Sequence, residues 1–385
     1  MPGCQASMIL ALSSQLRRSM KIVVDLLGAP ARSGGMRSYA QELIHAWVGE
    51  YSEDRLILVG GSWIAQEFES YPSIKTVCVS GETTLTRVLS QFFRSPWVYF
   101  SNRADVLLSV SPVVSPLVPR SRRACVVHDW RHLKNAKEFG RIQRLYRRIW
   151  QTSVNRAGFV VAISGKTAQE TLSYAPEANV FVVENGRDHS RRWQTVRRNQ
   201  GHATILTFGH HSNKRPELVI AALGLLRDKV LEQTQLVVLG ANAAYAEALR
   251  EVARLNHVDE QCRFPGFVSD IEYQRLIQSS SVVVLASSDE GFGLPVAEAQ
   301  YFGIPVVGTA DSGLSIIHGL GLIVADPSAE SLAGKIFEGL DLGINRSGGR
   351  EPMNTWADTA RGIRALARAA TQRVVPGALK SGATK

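Results

Sequence analysis

Val282-Val-Val-Leu-Ala-Ser-Ser-Asp-Glu-Gly-Phe-Gly-Leu-Pro-Val-Ala-Glu-Ala-Gln300 decides how this chain is read. Its apolar opening, Val282 to Ala286, has the composition of a buried strand. Gly291 and Gly293 supply a tight turn, and Pro295 fits the first turn of a helix that ends near Gly303. The unit is strand, glycine turn, helix. Glu290 falls on the loop at the strand's C-terminal end, and Glu298 within the first turn or so of the helix. Between them the backbone N–H groups of Gly291, Phe292, Gly293 and Leu294 point into one crevice. A helix start favours a phosphate, and a carboxylate beside it suits the paired hydroxyls of a sugar. An ordinary strand–turn–helix also displays acidic residues in its first turn, so the residues alone leave both readings open.

The same alternation runs outward along the chain. Apolar, β-branched runs occur at Ile22–Leu26, Leu56–Val59, Val106–Val110, Ala124–Val127, Phe159–Ile163 and Val180–Val183. A second series follows at Thr204–Phe208, Leu236–Leu239, Val282–Leu285, Pro305–Val307 and Leu322–Val324. Continuous apolar strands separated by helical patterns predict an α/β chain with two doubly wound, Rossmann-like parallel sheets. Polar, basic residues 187–201 divide the series. The expected division is an N-terminal extension at 1–19, a first domain at 20–190, a linker at 191–202, a second domain at 203–345, and a terminal helix and tail at 346–385. Two such domains carry their ligand loops at the strand ends and would face each other across a cleft.

At 385 residues, 45% apolar and with a net charge of +10, the chain can bury two cores and suits an anionic ligand. No zinc-finger spacing, RNA-recognition aromatic motif or helix-turn-helix signal argues for nucleic acid. Cys4, Cys78, Cys125 and Cys262 have neither disulfide-framework nor zinc-site spacing, which fits a reduced, cytoplasmic setting. No D-x-D motif and no acidic or histidine cluster suggests a metal. A diphosphate would instead meet Lys214 and Arg215, adjacent cations at a strand–helix junction whose charge otherwise opposes the helix dipole. Gly34 and Gly35, in the loop before a helix at Ser38–Trp47, allow close backbone approach or simply make a turn. His128-Asp129 follows a strand's C-terminus, the functional edge of such a sheet.

Glu290-Gly-Phe-Gly-Leu-Pro-Val-Ala-Glu298, followed by Gly303-Ile-Pro-Val-Val307, resembles the E-x7-E signature of retaining nucleotide-sugar glycosyltransferases of family four. The resemblance implies the two-Rossmann GT-B architecture, with a C-terminal helix crossing back to the first domain. It implies that the first domain receives the acceptor and the second the donor. Glu298 would hold the ribose diol and Glu290 hydroxyls of the transferred sugar. His128 would bind or orient that sugar, and Gly34 and Gly35 would approach the donor phosphates. Backbone groups around Phe267 and Val268 would receive the base. The family usually carries Arg then Lys where this chain has Lys214 then Arg215.

The activity so implied is retaining, metal-independent transfer from a nucleotide diphosphate-sugar, with a lean to GDP-mannose, onto a glycan or lipid-linked acceptor in cell-envelope or exopolysaccharide synthesis. No cofactor beyond that co-substrate is expected. A two-Rossmann epimerase or phosphorylase, a hydrolase using both glutamates, and a silent sugar-nucleotide-binding partner are the alternatives. The basic, amphipathic Arg141–Trp150 and aromatic-rich Gln91–Phe100 suit peripheral contact with an anionic membrane, although a core helix with a solvated basic face gives the first pattern equally.

Overall fold

The computed structural model describes residues 19–31, 34–79, 83–134, 141–196, 203–227, 234–319, 321–344 and 354–372. Residues 1–18 of the expected extension at 1–19, and the basic side chains expected on 141–147, lie outside what is described.

Seven parallel strands form the first sheet: β1 (Lys21–Asp25), β2 (Arg55–Gly60), β3 (Ile74–Cys78), β4 (Val106–Ser109), β5 (Arg123–Val127), β6 (Phe159–Ala162) and β7 (Val180–Val182). Their order is β3-β2-β1-β4-β5-β6-β7. Six more form the second: β8 (Thr204–Phe208), β9 (Gln235–Leu239), β10 (Cys262–Gly266), β11 (Val282–Leu285), β12 (Val306–Thr309) and β13 (Leu322–Ala325), ordered β10-β9-β8-β11-β12-β13. In each sheet the order reverses at its first strand, between β1 and β4 and between β8 and β11. Such switch points open a crevice beyond the strands' C-terminal ends, where doubly wound sheets bind ligands.

Central strands β4, β5, β6, β11 and β12 are buried at every residue, which is why they read as unbroken apolar runs. Each sheet is covered on both faces, giving two apolar layers per domain.

The helix Trp356–Thr371 lies against the helix Gly34–Glu50 of the first domain. A capping box between Thr355 and Asp358 starts it. A buried ion pair fixes it: Arg364 Nε and Nη2 donate to Asp54 at 2.7 and 2.9 Å, and Trp47 Nε1 donates to the same carboxylate at 3.0 Å. The approach to this helix reshapes the expected basic linker. Arg187, His189 and Ser190 are buried instead of solvated. Asp188 accepts from Trp356 N at 2.8 Å, and Trp356 Nε1 donates to His189 Nδ1 at 3.3 Å. A further correction concerns Gly34 and Gly35: they are exposed in the first turn of Gly34–Glu50, which begins four residues earlier than its apolar periodicity suggests.

Candidate active site

The loop after β11 carries Glu290 and the helix behind it Glu298, as the sequence predicts. Gly293 is left-handed (φ 78°), a conformation glycine adopts without the Cβ penalty, and it opens the helix Leu294–Tyr301 with Pro295 in the first turn. Glu290 is reached by Lys214 Nζ and by Ser287 Oγ, the latter at 2.6 Å. Lys214 arrives from the loop after β8, the neighbouring strand at the switch point, so the first cation and first carboxylate meet.

Arg215 is also turned inward. Its Nη atoms bind Asp311 at 2.8 and 2.9 Å and Thr309 Oγ1 at 3.0 Å, and Nε donates to Ala286 O at 2.6 Å. It caps the helix Pro216–Leu226 from a left-handed backbone (φ 47°). Both cations thus sit on the crevice wall with a carboxylate each.

Glu298 is more deeply set than its expected role requires. It is 5% exposed, takes a hydrogen bond from His189 Nε2 at 2.8 Å and another from Tyr273. Burial lowers the basicity of His189, but the Glu298 carboxylate outweighs it and the imidazole pKa is raised overall. Burial and the same carboxylate push the Tyr273 hydroxyl well up. Each carboxylate oxygen keeps a second lone pair for a ligand hydroxyl.

Across the cleft, His128 stands at the end of β5. Its Nε2 lies 2.9 Å from Val110 O; since a carbonyl only accepts, Nε2 carries the proton and Nδ1 is the acceptor. Burial pushes its pKa down, so the ring is neutral at neutral pH. The two domains close tightly here. A Cβ on Gly291 would lie 2.0 Å from His128 O, and Ser164 Oγ donates to Gly291 O at 2.9 Å while capping its own helix, Gly165–Tyr174. Phe267 is 76% exposed beyond β10, and Val268 is half-buried beside it.

Five charged residues not singled out from the sequence complete the seam. Lys166 Nζ binds Asp289 Oδ1 at 2.7 Å, Glu290 O at 2.9 Å and Glu170 at 2.8 Å. Lys134 Nζ reaches the same Asp289 oxygen at 2.8 Å and also Glu170. Burial disfavours the Lys134 charge, yet the two carboxylates hold its pKa above the ordinary lysine value. Arg131 Nη1 donates to Asn213 Oδ1 at 3.0 Å, again from one domain to the other. Lys166 lies in Ser164-Gly-Lys-Thr167 directly after β6, a position that signals a loop on the functional edge. Among the described residues no group of three or more His, Cys, Asp or Glu could hold a metal ion.

This architecture is the GT-B fold: two parallel-sheet α/β domains with the candidate residues gathered at facing strand ends. Residues 193–348 match the family described as glycosyl transferases group 1. Over 213 residues it is 27% identical to the D-inositol 3-phosphate glycosyltransferase of Corynebacterium aurimucosum, a match covering 50% of each chain. It is 29% identical over 161 residues to the GDP-mannose:cellobiosyl-diphosphopolyprenol alpha-mannosyltransferase of Komagataeibacter xylinus, covering 41% of this chain and 40% of that one. The chain therefore spans about half, or less, of the length of these curated relatives. Anabaena HepE, solved in complex with UDP and glucose, superposes with a TM-score of 0.62 at 18% identity, over 92% of this chain and 98% of that one; at that identity the likeness is one of fold.

Proposed function

We propose that the protein transfers a sugar from a nucleotide diphosphate-sugar to a hydroxyl of a glycan or lipid-linked acceptor, with retention of configuration and without a metal. The second domain would take the donor and the first the acceptor. The observation that carries this reading is the meeting of Lys214, Arg215, Glu290 and the glycine-opened helix start at one switch point, opposite His128 on the other domain.

Developing charge on a departing diphosphate is the main electrostatic load of such a transfer, and fixed cations with aligned amides carry it without reorganisation. Lys214 and Arg215 would exchange Glu290 and Asp311 for phosphate oxygens. Glu290, released from Lys214, would accept from hydroxyls of the transferred sugar. Neutral His128 would accept a sugar hydroxyl at Nδ1. Glu298 would take the ribose diol on its remaining lone pairs, held in place by His189 and Tyr273. The exposed rim at Phe267 and Val268 would receive the base through its backbone. Gly34 and Gly35 would bring the first amides of Gly34–Glu50 toward the phosphates. No side chain is assigned as a nucleophile: a front-face attack leaves the acceptor proton to a leaving phosphate oxygen.

For the donor we name GDP-mannose, supported by the Komagataeibacter relative; the UDP-sugars of other relatives are the competing result. A lipid-linked acceptor in envelope or exopolysaccharide synthesis would place the enzyme at the cytoplasmic face of a membrane. Incubation with labelled donors tests the reading. Acceptor-dependent release of nucleoside diphosphate is expected, with Glu298→Ala weakening donor affinity and Glu290→Ala lowering turnover. Donor conversion without acceptor would indicate an epimerase, a phosphate requirement a phosphorylase, and binding without turnover a silent partner. Unchanged behaviour of both variants would remove the assignment.

A further inference from the structure

The segment between β3 and β4 forms a run of helix that leaves an apolar face on the outside. Thr84–Leu89 is α-helical, Ser90–Arg94 is a π-turn, and Ser95–Ser101 is α-helical again. At 1.5 Å per residue this run is about 27 Å long. Its inward face mixes apolar and polar groups: Val98 and Tyr99 are buried in an apolar layer of the first domain. Gln91 Nε2 donates to Ser111 Oγ at 3.1 Å, and Ser95 Oγ donates to Asp25 Oδ2 at 2.7 Å, both partners lying at the C-terminal ends of β4 and β1. Four residues apart, the two contacts fall on one side.

Its outward face is apolar. Leu85, Leu89, Phe93, Trp97 and Phe100 follow one another at three- and four-residue intervals, and each is between 49% and 68% exposed. That spacing places them in a single stripe. A soluble surface helix has its apolar stripe against the core; this one seats Val98 and Tyr99 there and shows a second apolar stripe to the outside.

We propose that this face lies in the surface of an anionic lipid bilayer, parallel to the membrane plane. Charge decides between a membrane and another apolar partner. Between Glu82 and Asp105 the chain holds Arg87, Arg94 and Arg103 and no Asp or Glu, within a molecule of net charge +10. The Arg94 guanidinium stacks over the Trp97 ring at 4.7 Å, so a cation sits at the aromatic edge of the stripe. Leucine and aromatic residues on one face with arginine beside them make the composition that binds at a headgroup boundary. No described helix is long and apolar enough to cross a membrane. The helix's anchors, Asp25 and Ser111, lie on the cleft side of the first sheet, so docking here would hold the proposed acceptor side close to the lipid surface.

Vesicle flotation of the full chain tests this without donor or acceptor, so its result stands apart from that of the transferase reading. The protein should float with phosphatidylcholine vesicles containing a third phosphatidylglycerol, weakly with phosphatidylcholine alone, and less as salt is raised. The double variant Phe93→Ser, Trp97→Ser should lose more than roughly ten-fold in partition. Arg94→Glu should lose the preference for anionic lipid. Both should keep the wild-type melting temperature and nucleotide binding, because the altered side chains face outward. Failure of the wild type to float, or equal flotation of wild type and double variant, would overturn the proposal. So would a concentration-dependent dimer in sedimentation that the same double variant dissolves, because a second copy would then cover the stripe.

Discussion

Gly291 shows how one residue can set the spacing of the whole site. Its backbone is not left-handed, so the requirement is steric: any Cβ meets His128 O at 2.0 Å. Gly291→Ala must open the seam, and displacing a reacting group by about 1 Å can cost roughly 100-fold in rate. We expect kcat/KM to fall by that order with little change in far-UV dichroism, checked by steady-state kinetics. Asp25 is a second residue-scale case. Burial raises its carboxyl from 3.8 to about 6, with Ser95 and Leu27 N opposing. The native state then binds this proton more tightly than the unfolded chain, so the group's contribution is intact below pH 3.8, declines as pH rises to about 6, and is lost above it. The loss is about 3 kcal/mol. Asp25→Asn keeps an acceptor for Leu27 N, and its amide nitrogen donates to Ser95 Oγ in place of accepting from it; the variant should raise the melting temperature at pH 8 relative to wild type, with the gain vanishing near pH 4. From the sequence, Glu290, Glu298, Lys214 and Arg215 could be placed because glycine turns and helix starts are local signals. The pairing of Glu298 with His189 joins residues 109 positions apart and left no local trace.

At the scale of elements, what the sequence disclosed follows burial. Strands β4, β5, β6, β11 and β12 are sealed on both faces and announce themselves as apolar runs. The two strands absent from the sequence reading, β3 and β10, are sheet edges. There Lys75, Arg263 and Pro265 face outward, interrupting the pattern, and a proline is tolerated because an edge needs no further partner. The helix Trp356–Thr371 was legible as a helix, but its anchor was not, because Arg364 and Asp54 lie 310 residues apart. Arg364→Ala leaves the Asp54 carboxylate buried with the Trp47 and Met20 donors alone. Such a break costs about 3–5 kcal/mol. A matching drop in chemical-denaturation stability of the first domain is expected, and Asp54→Ala, Arg364→Met should recover part of it.

For the whole molecule, the seam between domains combines polar and ionic contacts: Lys134 and Lys166 with Asp289 and Glu170, Arg131 with Asn213, Ser164 with Gly291. Phe292 and Ile317 of the second domain also pack into an apolar layer of the first, so the seam joins an apolar contact to polar ones, and the polar contacts are the ones that separate more readily. The central claim is that this cleft holds an activated sugar by its diphosphate. Calorimetric titration of the protein with UDP, GDP and the matching monophosphates tests it most directly. One diphosphate should bind at least about ten-fold more tightly than its monophosphate, and Lys214→Ala or Arg215→Ala should weaken it by about 10- to 100-fold. Equal affinity for mono- and diphosphates, or binding that survives loss of both cations, would contradict the claim.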